Sequence, residues 1–374
     1  MRKSDPNSIF IRERRMKVFK LILTGTLIGL FVVSLVGPAT AQSGDKPDIT
    51  VVFPDIASIV RAIGGDEIGS VNILLTPGSD PHAATLTAEM SQAVTDTDLI
   101  VYANSEFFTI ESDIKAVMDE GATGTASIDW PDYERYGATL KSIPGYDDNH
   151  HGYWLDFENA KAIATATAAS LGNLGVDSDI LQSNLADFIH EINALRDTGT
   201  TLVTELDRER TQWVAMVPGV AYTITNLGVG VGAVVATEGS GFASGSELLD
   251  IENNLIEGEF TGIVCPLSMK DSRPGEMARQ LSEDSGTPVC YIRFFDATPD
   301  DSFTSQASYN LGAIANALGQ SDRRVKGGGA PVSGTLIWAL IVFALLIAVV
   351  IQNKRINEAY SGLGSVNKKP KKKK

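Results

Sequence analysis

The sequence is poor in the residues that most often carry site chemistry. Two cysteines are too few for a disulfide framework or a four-thiolate zinc site. Only four histidines occur in 374 residues, so each can be weighed singly. There is no P-loop and no HExxH helix. Basic residues are scarce over most of the chain: positions 42–333 hold 16 Lys and Arg against 43 Asp and Glu. A surface that acidic repels a phosphate backbone, which excludes nucleic acid as a partner. Apolar residues at 43% and charged ones at 21% exclude a wholly disordered chain.

The positive charge gathers at the two ends. Arg12, Arg14, Arg15, Lys17 and Lys20 precede an apolar run from Leu21 to Val36, followed by the small residues Ala39 and Ala41. That order predicts a secretory signal over 1–41, with Met16 as an alternative start and an uncleaved anchor as the other reading. No cysteine lies near the cut to take a lipid. At the other end, Gly334 to Ile351 carries no charge and is followed by Lys354, Arg355 and a lysine tail. Eighteen helical residues span roughly 27 Å, near the hydrocarbon thickness. A transmembrane helix over 334–352 is therefore expected. The basic tail 353–374 would be cytoplasmic, 321–333 a tether, and the acidic body extracytoplasmic.

Within the body, strand and helix patterns alternate in two runs. Strands are expected at Ile49–Phe53, Val71–Leu75 and Leu99–Tyr102, with helices to Ile63, at Thr87–Val94 and at Ile110–Met118. The second run has strands at Trp213–Val217, Ala233–Thr237, Thr261–Cys265 and Val289–Phe294. Helices are expected at Val220–Leu227, Ser246–Ile256, Pro274–Leu281 and Ala307–Leu318. Between the runs, Leu181, Leu185, Phe188, Ile192, Leu195, Leu202 and Leu206 recur at helical spacing, with Asp177 or Asp179 as cap and a bend allowed at Gly199. The fold class expected is α/β: two lobes with parallel sheets joined by a long backbone helix. The lobes would cover 42–155 and 211–320, with linking helices over 156–210.

His82 ends Thr76-Pro-Gly-Ser-Asp-Pro-His82, just after a strand, where open parallel sheets bind ligands. His150 and His151 lie in a loop before a helix, and His190 falls on the solvent side of the long stripe. Cys265 ends one expected strand and Cys290 begins the next, at opposite strand edges, which argues against a bridge and leaves Cys265 as a buried inert thiol or a site residue.

The segments VVFPDIASIVRAIGG, LLTPGSDPHAATLT, DTDLIVY and HGYWLDFENAKAIATA follow in this order. Over roughly residues 49–319 the chain resembles the zinc/manganese-type substrate-binding proteins of ABC importers. That resemblance implies two lobes that move little about a backbone helix and hold one divalent metal between them. Carried over, it makes His82 the first ligand, His151 the second with His150 as the weaker candidate, and Asp296 the last. At the third position this chain has Val217 and Pro218, which offer no side-chain donor. A further acidic position of some members falls at Cys265, leaving Cys265, water or a nearby carboxylate for the fourth place.

The resemblance thus implies a monomeric transport receptor that captures zinc, or manganese, and passes it to an ABC permease, without turnover. Two other readings stay open. One is a membrane-tethered interaction protein that has lost its metal. The other is a metal-dependent hydrolase, for which no general base is placed by the sequence.

Overall fold

A proline at the first helical position and a glycine just past the last one bound the first helix. In the computed structural model, which describes residues 46–325 except 122–123, 206–210, 238–240 and 299–300, strand β1 (Ile49–Val51) leads into helix α1 (Pro54–Gly64). Gly65 then turns the chain at φ +54°, and Asn184 caps the helix by donating to the Ile63 carbonyl at 2.9 Å. Next come β2 (Val71–Ile73), α2 (Ala88–Thr95), β3 (Leu99–Val101), α3 (Thr109–Gly121), β4 (Ala126–Ile128) and α4 (Trp130–Arg135). The four strands pair in parallel in the order β2-β1-β3-β4. β4 was not expected: Ala126-Ser-Ile128 is short and shows no apolar run.

Helices α5 (Phe157–Asn173) and α6 (Ser178–Glu205) follow. Asp177 Oδ1 accepts from the Asp179 and Ile180 amides, so it supplies the expected cap. At about 1.5 Å per residue, the 28 residues of α6 span roughly 42 Å. Leu181, Leu185, Phe188 and Ile192 enter the core of the first half, and Leu202 and Val203 that of the second. Gly199 marks no break in the helix. A Cβ there would lie 2.2 Å from Leu227 Cδ2, so glycine admits a close neighbour.

The second half contains β5 (Gln212–Ala215), α7 (Ala221–Thr225), β6 (Gly230–Val234), β7 (Ala236–Thr237), β8 (Gly241–Phe242), α8 (Gly245–Glu257), β9 (Phe260–Pro266), α9 (Arg273–Ser285), β10 (Val289–Ile292) and α10 (Phe303–Val325). Its parallel sheet has the order β10-β9-β5-β6, and β7 with β8 makes a small antiparallel ribbon. The single strand expected at Ala233–Thr237 is thus split, its first part pairing with β5 and its second with β8. Helix α10 runs on to Val325, into the stretch expected as a tether. Helix α6 packs on α1 and α5 in one half and on α10 in the other, joining the two sheets as expected.

No helix among the described residues is long and apolar enough to cross a membrane. The expected signal (1–41), transmembrane helix (334–352) and basic tail (353–374) lie outside the described residues.

Candidate metal centre

His82 sits in a turn shaped by its own segment. Asp80 Oδ1 accepts the His82 amide at 2.9 Å, and Ser79 donates back to the Thr76 carbonyl. Gly78, at φ +78°, donates its amide to the Phe295 carbonyl at 2.7 Å, which ties this turn to the end of the second sheet. The imidazole of His82 is exposed.

His151 is held from behind by Asn149, a fully buried residue. The Asn149 amide nitrogen donates to the Pro218 carbonyl at 3.0 Å, which fixes the side chain's orientation. Its oxygen therefore faces His151, accepting from the backbone amide at 3.1 Å and from Nδ1 at 3.2 Å. With the proton on Nδ1, Nε2 presents its lone pair, the state a metal ligand requires. Nε2 of His151 lies 3.1 Å from Nε2 of His82. Burial, with a smaller contribution from His82 and His150, pushes the His151 pKa down to about 3, so the ring is neutral.

Packing sets the two adjacent histidines apart. His150 stacks on Phe107 with centroids 4.4 Å apart, and its Nδ1 meets the Asn104 amide at 3.0 Å. It does not line the cavity into which His82 and His151 project. His190 is exposed on α6, as expected.

Asp296 is not brought to this pair. It is claimed by Arg293, whose Nε lies 3.2 Å from Oδ1 and whose fork also grips Asp301. The backbone explains why. Phe295 is the one non-glycine residue at positive φ among the described residues, at +55°. Its amide and that of Ala297 donate to Asp55, a fully buried carboxylate on α1 that also accepts from Trp154 and Gln306. The cavity wall at this point consists of Phe294 and Phe295 instead. Burial raises the Asp296 pKa to about 6, against the pull of Arg293.

Cys265 is not brought to the pair either. Its side chain packs with Val214, Met216 and Ile263 on one face of the second sheet and does not line the cavity. Burial pushes its thiol up to about 12, and its Sγ donates to the neighbouring Pro266 carbonyl at 3.6 Å. A metal ligand needs the thiolate, which this setting disfavours. The expectation of no bridge to Cys290 stands, since both thiols are free, but for another reason. Cys290 pairs in register with Val264, one residue from Cys265, so the two side chains leave opposite faces. Among the described residues, no three His, Cys, Asp or Glu side chains are placed to share a metal.

The cavity has a volume of about 410 Å³. From the first half, the two histidines and Tyr146 face it over a floor of Phe53, Phe108 and Trp154. The second half contributes Val217, Pro218, Phe242, Met269 and Phe294, together with the hydroxyls of Thr237 and Ser268. Val217 and Pro218 thus occupy the place the resemblance assigns to a third ligand. Asn149 and Asp55, which position the site, carry no strong signal in the sequence. Only the closeness of Asn149 to His151, within reach of an Asx turn, hints at the first.

The family model for ZnuA, the periplasmic component A of the zinc-uptake complex, matches residues 49–317. The chain belongs to this family. Solved structures of similar fold include ZnuA itself, at 20% identity and a TM-score of 0.60, covering 73% of this chain and 100% of that one. A zinc-bound ZnuA deletion mutant is 23% identical, with a TM-score of 0.59, 73% of this chain covered and 98% of the other. The Mn-bound periplasmic metal binding protein of Candidatus Liberibacter asiaticus matches at 17% identity and a TM-score of 0.59, covering 73% and 100%.

Proposed function

We propose that this member of the ZnuA family is the extracytoplasmic receptor of an ABC importer. It captures a divalent transition metal at His82 and His151 and delivers it to a permease in the same membrane. The observation that carries this reading is the convergence of two imidazole Nε2 atoms at 3.1 Å, one of them oriented by a buried amide. Neutral imidazole favours zinc among the available ions, with manganese the alternative. The bound zinc, manganese and cadmium named for structures of similar fold support a site for divalent ions of this type. No bond is made or broken in this role, so it needs no general base. The apolar 334–352 segment and its lysine tail would hold the receptor at the membrane, with the body outside.

A second reading, a tethered interaction protein without metal, draws on the pairing of Asp296 with Arg293 and the burial of Cys265. Elemental analysis of protein purified without chelator separates the two. Stoichiometric zinc or manganese that is lost in His82→Ala supports the receptor. Metal-free protein from metal-rich medium supports the second reading.

A further inference from the structure

The space around the paired histidines is much larger than a metal ion requires. A dication with two bound waters fills well under 100 Å³ at roughly 30 Å³ per water. The cavity holds about 410 Å³, within the range of small-molecule pockets, roughly 300–1,000 Å³. Its far wall is also wrong for a hydrated ion. Val217, Pro218, Phe242 and Phe294 line it with carbon alone, and the side-chain donors the second half adds there are the Thr237 and Ser268 hydroxyls and the Met269 thioether. Placing a hydrated dication against such a wall strips water from charge without replacement. Asp80 is the one carboxylate among the described residues lining the cavity, and its Oδ1 is engaged by the His82 amide. Two imidazoles satisfy only half of a tetrahedral zinc sphere.

We propose that the cargo is a metal complex: a divalent ion held by His82 and His151 on one side and by a small bidentate organic chelator on the other. The chelator's flat, apolar scaffold lies in the open part of the cavity, against Val217 and Phe242. Its two donors complete the coordination sphere, and its carbon skeleton meets the apolar side chains in place of water. This rests on the reading of the two histidines as ligands and specifies the substrate class of that site. A third protein ligand becomes unnecessary, which accounts for valine and proline where the resemblance implies a donor.

The probe is the equimolar complex of zinc with bipyridine, whose two ring nitrogens leave two positions for imidazole. In calorimetric titrations of the full chain, the complex should bind more tightly than free zinc by about tenfold or more. Both His82→Ala and His151→Ala should abolish its uptake. Val217→His, which places an imidazole on the apolar wall, should reverse the preference by tightening free zinc and excluding the complex. If free zinc binds as tightly as the complex, and bipyridine only strips it away, the inference is overturned while metal capture stands. If neither probe binds, both fall. Unchanged affinities in Val217→His would likewise overturn the inference, since the wall would then play no part.

Discussion

Gly152 meets Gly219 backbone to backbone: a Cβ on Gly152 would stand 2.3 Å from the Gly219 carbonyl oxygen. This contact joins the two halves one residue from His151 and one residue from Pro218, so it sets the depth of the metal cavity. Gly152 is also left-handed, at φ +71°. Gly228 shares that geometry at φ +73° but has nothing within 4 Å of the place a methyl group would take, which makes it the natural control. Alanine at either site pays the left-handed strain, about 1–2 kcal/mol. Gly152→Ala should lose about 1–3 kcal/mol more, the range for overpacking, and should weaken zinc binding. Urea denaturation of both variants tests this, and equal losses would mean the seam yields freely.

Asn149 should matter to the metal as well as to the fold. Its amide fixes the His151 tautomer, and outer partners of metal-ligating histidines are typically worth about 10–100-fold in affinity. Asn149→Ala is therefore expected to weaken zinc by about that factor. Titration calorimetry at matched folded fraction checks it; an affinity equal to the parent's would show that His151 orients itself.

Stability should fall as pH rises across neutrality. Burial raises the pKa of Asp55, that of Asp296 from 3.8 to about 6, and that of Glu111 from 4.5 to about 8. Each group keeps its proton in the folded chain after the unfolded chain has released it. Their stabilising effect is complete below the unfolded values and is lost as pH passes through the folded ones. His151, lowered from 6.5 to about 3, acts in the opposite sense up to its unfolded value, so urea midpoints should decline from about pH 6.5 to about pH 9. Glu111→Gln should flatten the upper part of that decline. It should also lower the whole curve, because the carboxylate accepts the Ala103 and Asn104 amides at 2.7 and 2.6 Å. A midpoint that rises with pH above about 6.5 would contradict the burial of these groups.

Metal should change the outline of the protein little. Phe295 bonds through its amide to Asp55 on α1 and through its carbonyl to Gly78 beside His82, so one residue braces both halves. Helix α6 packs on both as well. Solution scattering with and without zinc should nearly superimpose. A marked shrinkage on binding would mean that the brace opens in solution.

The α/β order and the long stripe were legible because burial imposes a period on them: Leu181 to Ile192 and Leu202 lie inward on α6 as their spacing requires. β4 escaped because three residues, Ala126-Ser-Ile128, contain too few apolar positions to show a period. His82 and His151 were legible through local motifs that carry their own turn. Asp296 was misleading because its environment comes from elsewhere in the chain. Arg293 takes its carboxylate, and Asp55, some 240 positions earlier, takes the backbone amides that set its direction. Cys265 misled for a simpler reason. Strand alternation decides which face a side chain leaves, and a family pattern located the residue without its face.

The two cysteines carry a consequence for the protein's lifetime. One register step and the thickness of a β-sheet separate them, so neither can protect the other by pairing. Each is kept from oxidants and exchange partners by its neighbours alone. Chemical damage must then wait for the second sheet to open, and its rate counts those openings. The accumulation of modified thiols in aged protein becomes a clock for how often β9 and β10 part.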